Sequence, residues 1–99
     1  MADDQIIASC KDALRIPPDV ADYDSEIADL VFAARAALRA GGVSAQKIDK
    51  ADDGAINLAI KVFVKANFGM DNPESEKLRE SFDHLVTMLK GSSEYGGAS

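Results

Sequence analysis

Apolar residues recur at helical spacing in four stretches of this chain. In residues 3 to 14, Ile6, Ile7, Cys10, Ala13 and Leu14 share one helical face, and Asp3 and Asp4 stand where negative charge suits the helix dipole. Pro17 and Pro18 are expected to stop this first helix: neither donates a backbone hydrogen bond, and Ile16 is steered towards an extended conformation. DYDSEIADLVFAARAALRAGG predicts a second helix from about Asp24 to Ala40. Asp22 or Asp24 would cap it and Gly41 would end it in a left-handed turn.

The core stripe of the second helix is Ile27, Leu30, Val31, Ala34 and Leu38, and Phe32 falls well off it, near Ala28, Arg35 and Arg39. Either the first helix or the proline loop covers Phe32, or it is a subunit contact, since aromatic and Arg side chains are enriched at interfaces. Residues 42 to 51 have no clear period, so Val43 and Ile48 are expected only to pin a loop to the body.

From Asp52 onward a third helix carries Ile56, Ala59, Ile60, Phe63 and Val64 on one side, while Leu58, Val62 and Ala66 occupy much of the other. A helix apolar around most of its circumference is central, buried by its own chain or by another subunit. The fourth helix is expected from about Pro73 to Lys90, with Asn72 as cap and Leu78, Phe82, Leu85 and Leu89 as its stripe. KANFGMDNPE is then a corner: Gly69 permits the turn, Phe68 plugs the angle between the helices, and Met70 is the residue expected to meet a neighbouring subunit.

These elements describe a small all-α domain of four main helices over residues 1–90 and a flexible Gly- and Ser-rich tail over residues 91–99. A chain of 99 residues with 46% apolar content can build one core and no second domain. In the tail, Tyr95 is the one large side chain, either an inert end residue or an anchor on a partner.

Charge narrows the functions open to such a domain. Seventeen acidic residues against eleven basic ones give a formal charge of −6, and the basic residues are spread from Lys11 to Lys90, which opposes gripping of phosphates. The acidic start MADD lacks the apolar run of a signal peptide, and no apolar stretch approaches the ~18 residues of a membrane helix, so a soluble protein made in the cytoplasm is expected.

The inventory for chemistry is thin, and no catalytic, cofactor or metal site is expected. His84 is the sole histidine and lies beside the fourth stripe. Cys10 is placed as a small buried hydrophobe rather than a reactive thiol. Asp3-Asp4 and Asp52-Asp53 read as helix-start charges rather than metal ligands. Asp24-Ser25 at a helix start is similar to the attachment site of acyl carrier proteins, but Glu26 stands where that family has a large apolar residue.

Three segments together resemble the head-tail connector, or adaptor, family of long-tailed bacteriophages and prophages: DALRI with the acidic loop and DSEIADLVFAARAAL, then AIKVFVKANFGMDNP, then SEKLRESFDHLVTML. They cover most of residues 12 to 90. The resemblance implies a virion neck subunit without catalysis that forms a ring of about a dozen copies under the portal protein and docks the next neck or tail-completion protein, with DNA passing through unread. On that reading Phe32, Arg35, Arg39, Met70 and Tyr95 are the candidate subunit or partner contacts. The competing expectation is a small acidic regulatory or protein-binding helical module.

Overall fold

The computed structural model describes residues 2–49, 53–69, 73–92 and 95, the side chains of residues 2–4 aside. These residues form five helices and no strand: α1 (Ala2–Ala13), α2 (Asp24–Ala40), α3 (Ala45–Ile48), α4 (Gly54–Asn67) and α5 (Ser75–Gly91). The all-α class and the four long helices are as expected from the apolar spacing, and one further turn, α3, occupies the segment that has no period.

The core is a single cluster in which the fully buried members are Ile27, Ala34 and Leu38 of α2 and Ile56, Ala59, Ile60 and Val64 of α4. Ile6 and Cys10 of α1 close it on one side, Phe82 and Leu89 of α5 on another, and Val43 and Ile48 pin the α3 segment beneath it. α4 packs against α1, α2 and α5 and is the spine that its all-round apolar sequence predicts. Phe63, expected inside, is half-buried and meets Phe82 edge to face at 5.1 Å, while Ala66, placed on the opposite side by the sequence, is buried.

The helix ends depart most from expectation. Arg15, not the proline pair, terminates α1: its φ is +62°, the Ile16 N–H donates to the Lys11 carbonyl at 2.8 Å, and the Arg15 N–H donates to that of Asp12 at 3.1 Å. This is a Schellman closure with a non-glycine residue in the left-handed position, a conformation that costs an L-residue roughly 1–2 kcal/mol. α2 closes the same way through Gly42 rather than Gly41, with φ +100°, Gly42 N–H to Arg39 carbonyl and Val43 N–H to Leu38 carbonyl, both at 3.0 Å. Gly41 itself is helical, and its bare Cα lets Val86 of α5 approach α2.

Neither Asp22 nor Asp24 caps α2. Tyr23 holds the cap position without a side-chain hydrogen bond, and Asp24 lies within the first turn. α5 begins at Ser75, after Pro73, with Glu74 in the cap position; Asn72, the expected cap, lies outside the described residues. At α4 the acidic pair does act as a helix start, because Asp53 Oδ1 accepts the Ile56 N–H at 3.0 Å. Phe68 is half-buried against the core, and its ring meets Tyr23 edge to face at 5.5 Å, which ties the end of α4 to the loop before α2.

Candidate assembly surface

α2 turns its buried stripe towards α4, which leaves Phe32 and Arg39 on a flank more than about 100° from that stripe, with the half-buried Arg35 between them and the stripe. Phe32 is 70% exposed, so neither α1 nor the proline loop covers it. Arg39 Nη1 lies 3.8 Å from Asp49 Oδ1 just past α3, a pair with both side chains largely in water and therefore weak. An exposed aromatic beside an exposed guanidinium on one helix flank is the composition found where protein surfaces meet.

One helical turn before Phe32, Ala28 forms the edge of a groove between α1 and α2. Ile7, Ala8, Ile16 and Pro18 supply its apolar walls, and Lys11, Asp12 and Asp24 its charges, around a volume of about 560 Å³. Lys11 is buried on the groove floor. Its ammonium donates to the Pro18 carbonyl at 3.1 Å and lies 3.0 Å from Asp24 Oδ1. That carboxylate oxygen takes no hydrogen bond, so the contact with Asp24 is one of charge alone.

A second exposed apolar area lies on the α4–α5 hairpin. Leu58 on α4 is 48% exposed and Met88 on α5 is 58% exposed, while Phe63 and Phe82 join the two helices edge to face. The sequence pattern already places Leu58 off the stripe of its helix and Met88 at the flank of the next.

Tyr95 stands apart from both areas. Its hydroxyl donates to both oxygens of the Asp53 carboxylate, at 3.1 and 3.0 Å, and its carbonyl accepts the Ser44 N–H at 2.8 Å. The Lys47 ammonium lies 5.6 Å from its ring centre. Tyr95, assigned by its sequence context to a flexible tail, is therefore fastened to the starts of α3 and α4. Met70, the other residue expected at a subunit contact, lies outside the described residues.

The ionisable groups that sequence reasoning singles out are dispersed. Cys10 is buried on the inner face of α1, and burial pushes its thiol up from 9.0 to about 11, with Lys61 acting the other way. His84 is exposed on α5 beside Lys77, Glu80, Ser81 and Leu85. Among the described residues no three His, Cys, Asp or Glu side chains gather as a metal site would require, and no helix is long and apolar enough to cross a membrane.

Compared with known families, the chain matches the one described as phage connector protein over residues 6–96. It belongs to that family. The match runs from Ile6, the first buried residue of the core, to just beyond Tyr95, so the fastening of Tyr95 lies within the connector domain. The role this membership supports is that of a phage head-tail connector. No curated protein and no solved structure matches the chain.

Proposed function

We propose that this connector works by assembly: copies pack side by side into a closed ring beneath the portal, complete the filled head and offer their lower face to the next neck protein. The observation that carries the reading is the exposure of Phe32 in a chain of the connector family. A cyclic ring needs a heterologous contact, joining two different faces of the subunit. The chain has exposed large apolar residues on two such faces, Phe32 with Arg35 and Arg39 on α2, and Leu58 with Met88 on the α4–α5 hairpin. In the ring the first face of one copy meets the second face of its neighbour.

The charge supports the same role. A formal −6 spread over the chain repels phosphates, which suits a channel that DNA traverses without being held. The subunit thus contributes shape and contact rather than catalysis, and its place is the virion neck.

Mixing the protein with purified portal, followed by light scattering and negative-stain imaging, tests this directly. Rings seated on the portal are expected with the wild type and are lost with Phe32→Asp and with Leu58→Asp. A protein that stays a monomer or dimer in the presence of portal overturns the ring and favours the reading as a regulatory protein-binding module.

A further inference from the structure

Phe32 and the α1–α2 groove are neighbours. Ala28, at the groove edge, is one helical turn from Phe32, a spacing of ~5–6 Å between Cβ atoms, so projection and recess share one face of one helix pair. Such a face is self-complementary: a second copy turned by a twofold rotation places each Phe32 over the other's groove at once.

The charges match in the same sense. Phe32 has the exposed Arg39, in a weak pair with Asp49, and the half-buried Arg35 beside it on α2, whereas the groove and the loop before α2 carry Asp12, Asp19, Asp22 and Asp24 against Lys11 and Arg15. Lys11 and Asp24 offset each other, which leaves Asp12, Asp19 and Asp22 against Arg15 as an acidic rim. A basic, aromatic projection thus faces an acidic, apolar recess, the pairing that steers association and fixes register between protein surfaces.

We infer that free copies of this connector pair as a twofold dimer, with Phe32 of each seated in the α1–α2 groove of the other. This inference rests on the ring reading for its consequence. The dimer covers the aromatic that the ring needs, so a subunit away from the portal is held from premature assembly, and ring formation requires the dimer to come apart. The contact is of modest size, centred on two aromatic side chains that bury ~150–250 Å² each, and it belongs with weak, concentration-dependent pairs rather than permanent dimers.

Sedimentation equilibrium of the full chain over a wide concentration range, beside the portal assay, decides the matter. The wild type should pass from one to two chains as concentration rises. Ala8→Trp, which fills the groove from an exposed position on α1, and Phe32→Asp should both shift the midpoint by at least tenfold; circular dichroism verifies that each variant folds. The pairing should weaken in Arg39→Glu and recover when Asp12→Arg is added. Ala8→Trp should still form rings on the portal, and Leu58→Asp should still dimerise.

A wild type that remains monomeric throughout, or a dimer indifferent to Ala8→Trp, overturns the groove pairing while leaving the ring standing if rings form on the portal. A dimer that behaves as described but never forms rings on the portal overturns the ring and leaves the pairing.

Discussion

The Tyr95 hydroxyl and the Asp53 carboxylate are hydrogen-bonded across 42 positions of sequence, and the same carboxylate caps α4 through the Ile56 N–H. One side chain thus serves two elements. Tyr95→Phe removes the bond and leaves the cap, and should cost about 1 kcal/mol in urea unfolding, since the acceptor is charged but only partly buried. Asp53→Asn keeps a good capping side chain and should fall in the same range, while Asp53→Ala loses both roles and should cost about 2 kcal/mol. A coupling of about 1 kcal/mol in the Asp53→Ala, Tyr95→Phe double-mutant cycle measures the fastening itself.

Arg15 and Gly42 close two helices with the same backbone geometry, and only one of them is a glycine. Arg15→Gly relieves the left-handed strain and should stabilise the protein by about 0.5–1 kcal/mol after the added freedom of the unfolded chain is deducted. Gly42→Ala should cost about 1–2 kcal/mol, because a Cβ there takes the strain and meets the Lys90 stem at 3.3 Å. Thermal melts of the two variants moving in opposite directions confirm the pair; equal shifts refute it.

The helices were legible because apolar residues at three- and four-residue spacing report burial along a single segment. The ends were not, because a cap depends on which φ the chain adopts: nothing in RIPP marks Arg15 rather than the prolines as the stop. Tyr95 was illegible for another reason, since its partners Ser44 and Asp53 are distant in sequence. The Phe32, Arg35 and Arg39 grouping was visible as an off-stripe flank, whereas the groove exists only once α1 lies on α2.

Phe32 and Phe63 should separate cleanly in stability measurements. Phe32→Asp is expected within about 0.5 kcal/mol of the wild type at concentrations where the chain is monomeric, because its ring is exposed. Phe63→Ala removes the edge-to-face partner of Phe82 and should cost about 3 kcal/mol, the lower end for aromatic truncation, since Phe63 is half-buried. Comparable losses for the two would place Phe32 in the core.

Lys11 presents an asymmetric case. Replacing the buried cation by Lys11→Met keeps the packing and should change stability by no more than about 1 kcal/mol, whereas Asp24→Ala leaves the ammonium with the Pro18 carbonyl alone and should cost about 1–3 kcal/mol. The reverse order in chemical denaturation would show that the Asp24 contact contributes little.

The Cys10 thiol, pushed up to about 11, should react with a disulfide reagent at pH 8 about a hundredfold more slowly in the folded protein than in denaturant. The linkage has a definite sign. The folded state holds the thiol proton more tightly, so this contribution to stability is fully present below pH 9 and is lost as pH rises towards 11. A Cys10→Ala variant should lose that part of the alkaline slope.

α5 differs from the other long helices in resting chiefly on one neighbour. Its helix packing is chiefly onto α4, with Val86 and Lys90 beside the glycines at the end of α2, and its buried residues are Phe82 and Leu89. A helix held from one side opens without disturbing the rest, so the amides of α5 should exchange with solvent water ahead of those in α2 and α4. Tyr95 then acts as a stitch at the loose edge: it restrains the end from which such a helix would peel and leaves the rest of α5 able to yield.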